Sequence, residues 1–203
     1  MRLPTVFGWI RKLRHAMRIA WLRHRLGVRI GKNCKIHPTV IFQLGHRDSI
    51  SIGDDVEIWP GVILAPYGGS IEIGNRVYIG PYSILYGQGG LRVGNNTLIA
   101  PHVVLVPSNH VFDRIDIPIR DQGLRNVGIE IGEDCWLGAR VTVLDGVRIG
   151  KGCVIGADST VTRPLPDWCK AKGRPAEVTG KRGDPPRSAA GESQPTEADH
   201  GGT

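Results

Sequence analysis

The sequence predicts a mainly β protein built as a parallel β-helix of about six coils. Three observations carry this. Aliphatic residues recur every six positions, a glycine follows the first of each triplet, and the rhythm breaks at length only once. The triplets are Ile30, Ile36, Phe42; Ile52, Ile58, Leu64; Ile73, Ile79, Leu85; and Val93, Ile99, Leu105. After the break come Ile131, Leu137, Val143 and Ile149, Ile155, Val161. The glycines are Gly31, Gly53, Gly74, Gly94, Gly132 and Gly150. Such a period marks a solenoid. Each hexad supplies one short strand and one turn, and three hexads close a triangular coil. Aliphatics then point inward and stack on those of the next coil, about 4.8 Å away. Glycine is expected where a turn needs φ > 0 or two backbones approach closely.

Four positions after an aliphatic the residue is usually small or β-branched, and Cys34, Cys135 and Cys153 all fall there. They read as packing residues. Cys169 falls outside the hexads, and no C-x-x-C pair indicates a zinc site or a disulfide framework.

Coil lengths point to a working edge. Ile131 to Ile149 is 18 residues, a bare coil, whereas Val93 to Ile131 is 38. The first three coils exceed the bare coil by two to four residues, and every excess follows a third hexad. All insertions therefore leave near one corner, as in repeat folds whose function sits on one edge. The longest is Pro107 to Gly128, which carries His110 just past the break.

Of 203 residues, 40% are apolar and 28 are Gly, which suits many tight turns around a thin core. The net charge of +7 is uneven: residues 1–35 hold ten Lys or Arg and no Asp or Glu. Val6, Trp9, Ile10, Leu13, Met17, Ala20, Trp21 and Leu22 form a helical stripe within residues 5–26. Two uses compete for that basic amphipathic helix, packing on the main domain or lying on an anionic membrane surface. A solvated face accounts for the charge as well as a nucleic-acid partner would, and no nucleic acid is expected. No apolar run reaches transmembrane length, and no secretory signal pattern is seen. The expected location is cytoplasmic, with membrane association at the inner face as the variant. Four segments follow: 1–28 as the N-terminal helix, 29–166 as the prism with loop 107–128, 167–180 as a cap, and 181–203 as a disordered tail rich in Gly, Pro and Ser.

The segment IGEDCWLGARVTVLDGVRIGKGCVIGADSTVTRPLP with KGRPAE, preceded by VGNNTLIAPHVVLVPSNH, resembles the hexapeptide-repeat acetyltransferases, most of all the maltose, galactoside and capsular-polysaccharide O-acetyltransferases. The resemblance covers roughly Ile30 to Pro175. It implies a left-handed prism, against the usual crossover rule, a homotrimer with active sites between subunits, acetyl-CoA as cosubstrate, no metal, and a sugar or glycan acceptor. By that match His110 is the general base. Trp136 flanks the pantetheine arm, Ala139 offers its backbone N–H near the thioester, and Ala157, Thr162 and Arg163 line the remaining groove. Glu177 stands where relatives carry Arg or Lys, which makes Arg174 a candidate for the phosphate end, with Lys181 or Arg182 beside it. Asn109, His102 and Tyr86 are acceptor-side candidates, although His102 also reads as a surface residue. The basic helix stands where the maltose and galactoside enzymes carry an acceptor-binding segment, which favours a larger glycan near a membrane.

The chemistry is consistent with these roles. A sugar hydroxyl is a poor nucleophile until a neutral imidazole takes its proton, and rigid backbone N–H groups suit the oxyanion. Two other readings stay open. A γ-class carbonic anhydrase needs three metal histidines, and beside His102 and His110 no third is suitably placed. A non-catalytic scaffold is the other.

Overall fold

The computed structural model describes residue 13, residues 17–24 and residues 28–184. The rest of the expected N-terminal helix and the tail from residue 185 lie outside the described residues. Three parallel sheets form the three faces of a prism. Face one stacks Arg29–Ile30, Ser49–Ile52, Ser70–Ile73, Leu91–Val93, Ile129–Ile131 and Arg148–Ile149. Face two stacks Lys35–Ile36, Glu57–Ile58, Tyr78–Ile79, Leu98–Ile99, Trp136–Leu137 and Val154–Ile155. Face three stacks Ile41–Phe42, Ile63–Ala65, Ile84–Tyr86, Val104–Val106, Thr142–Leu144 and Thr160–Val161. Six coils result, in the register of the hexads: Ile52 pairs with Ile73, Ile58 with Ile79, and Leu64 with Leu85. These aliphatics form one continuous buried core.

The repeat glycines are there for close approach and not for φ. Gly53 and Gly132 have ordinary negative-side dihedrals, yet a Cβ on Gly132 would come within 2.7 Å of the Lys151 nitrogen in the next coil. The left-handed residues at the corners mostly carry side chains: Asn33, Asp55, Arg76, Asn96 and Asp134 between faces one and two, and Tyr82, His102, Arg140 and Asp158 between faces two and three. The first of these corners is also laced by side chains. Asp54 Oδ1 accepts from Lys32 N at 2.6 Å, Asn75 from Asp54 N at 2.8 Å, and Asn95 from Asn75 N at 2.7 Å.

A solenoid leaves unpaired backbone at its ends. In the second coil Ile52 O and Val62 O accept from Gly31 N and Ile41 N of the first. Their first-coil equivalents, Ile30 O and Val40 O, have no coil above them. Helical residues 17–24 cover that end. Arg23 donates to Ile30 O and Gly31 O at 2.5 and 2.9 Å, Arg18 donates to His37 O and Val40 O at 2.6 and 2.7 Å, and Leu22 is buried in the core. Among the described residues no helix is long and apolar enough to cross a membrane.

At the other end a seventh coil begins, and here the hexad reading fell short. Leu165 bridges Ile149, and Cys169–Gly173 continues face two beside Val154–Ile155. Cys169 therefore stacks on Cys153, with the sulfurs 3.5 Å apart. The sixth coil is two residues shorter than the fifth, because the chain turns through Pro164 and Pro166. A fixed period of six thus misses Cys169. Gly173 to Ala176 then reverses the chain, and Ala176–Lys181 returns antiparallel to close the end.

Candidate active site

The insertions predicted for one corner all lie between faces three and one, at residues 43–48, 66–69, 87–90 and 107–128. The longest is an organised arm. Asn109–His110 pairs antiparallel with Leu124–Arg125, Asn109 opposite Arg125 and His110 opposite Leu124, and Val111 N donates to Gly123 O at 3.1 Å. This ladder holds the His110 backbone at the arm's root while its side chain stays exposed. The arm is fastened to the prism by Asp145, whose Oδ1 accepts from Val127 N at 2.9 Å and Gly128 N at 2.8 Å.

Gln122 organises the tip. Its Oε1 accepts from Arg114 N at 3.0 Å, and its Nε2 donates to Arg114 O at 2.7 Å and Ile117 O at 3.1 Å. Arg114 and Asp116 form an ion pair beside it, which holds the Asp116 carboxyl below its usual range. Phe112, Ile115 and Ile119 stand exposed on this tip. Exposed apolar residues on an ordered arm mark a surface made for contact.

The remaining site residues divide between two corners. Tyr86, Asn109 and His110 lie at the edge where face three meets face one, on the third and fourth coils, and Thr162 and Arg163 lie at the same edge on the sixth. Tyr86 packs against Tyr67, with ring centroids 5.4 Å apart, and Tyr67 Oη lies 3.1 Å from Gln43 Oε1. Trp136 stands exposed on face two of the fifth coil. Ala139 and Ala157 follow it at the corner between faces two and three, where Asp158 N donates to Ala139 O at 2.8 Å. His102 belongs to that second corner, stacked on Tyr82 at 5.4 Å and 13°. His102 precedes the strand Val104–Val106 and His110 follows it, so the whole of face three separates them. Within one chain His110 and Trp136 stand apart in the same way.

Three features were not anticipated from the sequence. Arg140 grips Asp158 through two 2.6 Å hydrogen bonds, and the same carboxylate receives Arg174 at 3.1 Å. The guanidinium of Arg140 holds the Asp158 carboxyl below the usual range. Arg174 is thus engaged at the corner below Ala157. The Gln122 knot and the Asp145 clasp are the other two. Gln122 bonds within the insertion and Asp145 reaches into it from the bare fifth coil, so hexad spacing predicts neither.

The model for bacterial transferase hexapeptide repeats, described as six repeats, matches residues 128–163. Nodulation protein L of Rhizobium meliloti is 32% identical over 153 aligned positions, in an alignment covering 66% of this chain and 81% of that protein. This chain belongs to the hexapeptide-repeat transferase family. The galactoside O-acetyltransferase of Lactococcus lactis is 36% identical over 135 residues, covering 66% of this chain and 63% of that enzyme. Against a Mycobacterium tuberculosis relative, Rv3034c, at 32% identity, the chain spans about half (49%) of the relative's length. Among solved structures, the N-acyltransferase AntD of Bacillus cereus, in complex with dTDP-4-amino-4,6-dideoxyglucose and coenzyme A, superposes with a TM-score of 0.69 at 24% identity, over 84% of this chain and 89% of that one. The hexapeptide-repeat acetyltransferase VCA0836 of Vibrio cholerae, complexed with acetyl coenzyme A, gives 0.56 at 24% identity, over 82% and 77%. The prism of this hexapeptide-repeat transferase is accordingly the left-handed parallel β-helix.

Proposed function

We propose that the chain is an acetyl-CoA-dependent O-acetyltransferase acting on a sugar hydroxyl, in surface-polysaccharide or glycoconjugate biosynthesis, with His110 as general base. The observation that carries this is the split of the site across face three. The His110 edge and the Trp136 surface cannot meet within one protomer, yet they face each other when prisms assemble around a threefold axis.

The outer faces favour that assembly. Face one carries ion pairs, Arg92 with Glu72 at 3.1 Å and Arg148 with Glu130 at 3.5 Å, and suits water. Face two carries one ion pair at its capped end, Lys35 with Glu57 at 2.6 Å, and exposes Trp59, Leu98 and Trp136 beyond it, while face three exposes Ile41 and Leu144. Exposed apolar faces of this kind mark contact surfaces, and here they line the clefts of the assembly. With the corner between faces two and three placed inward, three triangular corners fill only half the circle about the axis. Each pair of neighbours then leaves a wedge-shaped cleft, walled by face two of one protomer and face three of the next. Coenzyme A lies along Trp136, Ala139 and Ala157 of one wall. His110 stands at the outer rim of the other wall, and Phe112, Ile115 and Ile119 close across it. Tyr86 and Asn109 meet the acceptor beside His110, while Thr162 and Arg163 lie lower on the same edge.

In the reaction the His110 imidazole takes the proton of the sugar hydroxyl as its oxygen adds to the thioester carbonyl. Backbone N–H groups of the rigid coil stabilise the tetrahedral oxyanion. Its collapse expels the CoA thiolate, which receives the proton from the imidazolium. The names of the galactoside-acetylating relatives and the acetyl coenzyme A in VCA0836 support donor and acceptor class. His110→Ala is expected to lower turnover by about 10²–10⁴ while CoA affinity and the assembly persist. Undiminished turnover of that variant in an acetyl-CoA consumption assay with sugar acceptors would overturn the assignment.

A further inference from the structure

The capping helix has an outer face that the prism does not use. Leu22, Arg18 and Arg23 turn toward the first coil, whereas Leu13, Met17 and Trp21, spaced four apart, are 59, 62 and 53% exposed. This apolar stripe lies in a segment of residues 1–35 with ten Lys or Arg and no acidic residue. The two uses the sequence left in competition therefore fall on opposite faces of one helix.

We infer that this outer face docks the protein on an anionic lipid surface, with the first coil toward the bilayer. Trp, Met and Leu seat at headgroup depth, and the basic segment, whose Arg18 and Arg23 cap the first coil, offers its other cations to lipid phosphates. Charge decides against a second copy as occupant, since two such faces would bring only like charges together. Each cation near an anionic surface strengthens partitioning roughly fivefold, screened by salt. The geometry also has a use, which depends on the proposed acetyl transfer. Successive coils lie about 4.8 Å further from the capped end, so the fourth-coil arm with His110 stands roughly 15 Å from the first coil by that spacing. Gln43, Tyr67 and Tyr86 line the same edge between. A sugar carried on a membrane lipid is thereby presented at the height of His110.

Flotation of the full chain with vesicles tests this. The protein is expected to float with phosphatidylglycerol-containing vesicles, about tenfold less with phosphatidylcholine alone, and less again at high salt. The triple variant Leu13→Gln, Met17→Gln, Trp21→Gln is expected to lose about tenfold in vesicle binding or more, while keeping CoA affinity and turnover of a soluble acceptor. Met17→Glu alone, at a solvated position, should lower binding in the same direction without disturbing the fold. Wild-type protein that ignores anionic vesicles, or variants that bind them undiminished, would overturn the proposal. So would self-association that the triple variant abolishes. Failure of acetyl transfer leaves the flotation result standing, so the two readings fail separately.

Discussion

The indole of Trp168 crowds the backbone of Gly152. Gly152 has φ +67°, and a Cβ there would meet Trp168 Cε3 and Cζ3 closer than real Cβ contacts occur. Lys151 and Arg182 flank the same ring at 6.0 and 5.6 Å, so one aromatic closes the corner of the last coil with cations around it. Gly61 and Tyr82 repeat the device at the corner between faces two and three.

Gly152→Ala is therefore expected to cost about 1–2 kcal/mol from the left-handed dihedral alone, with a further cost for displacing the ring. Thermal melting of Gly152→Ala, Trp168→Ala and the double variant measures this. The double variant should be less destabilised than the singles summed, because removing the indole frees the space the methyl needs. Strict additivity would show that the ring does not press on Gly152.

The Arg140–Asp158–Arg174 cluster links the fifth and sixth coils to the terminal hairpin. The Asp158 carboxyl titrates below its ordinary value, chiefly through the Arg140 hydrogen bond. A depressed folded-state pKa adds stability above the unfolded value and loses it as pH falls through the folded one. The Asp158 contribution should therefore be flat above about pH 5 and decline below about pH 4. Comparing melting against pH for the wild type and Asp158→Asn checks it. The exposed site makes the difference small and salt-sensitive.

Gln122→Ala should loosen the arm without touching the prism. Three hydrogen bonds at its tip are lost, while none of the core is disturbed. Global melting is expected to change by less than about 0.5 kcal/mol. Amide exchange of residues 112–121 should accelerate and turnover should fall. Exchange that stays protected would place the order of the tip elsewhere.

The faces and the corner bearing the arm were legible because inward-facing rows every six residues leave a periodic trace. Cys169 was not, since two prolines shorten the sixth coil and shift the phase. Which glycines serve φ and which serve close approach also depends on the neighbouring coil. Gly132 follows its hexad aliphatic and is crowded by the next coil's backbone, whereas Gly152 stands two residues past the equivalent Gly150, at φ +67°, against an indole.

By itself the sequence determined the solenoid, its six full coils, and the exit of His110 at one edge, because each follows from spacing along the chain. Only the tertiary structure decided that His102 and His110 stand on opposite edges of face three, that Arg174 is held by Asp158, and that the capping helix keeps an apolar face outward. Those depend on which corner each residue turns at and what the neighbouring coil presents there. Contacts between coils join residues a full coil apart, and hexad spacing fixes their height but not their partners.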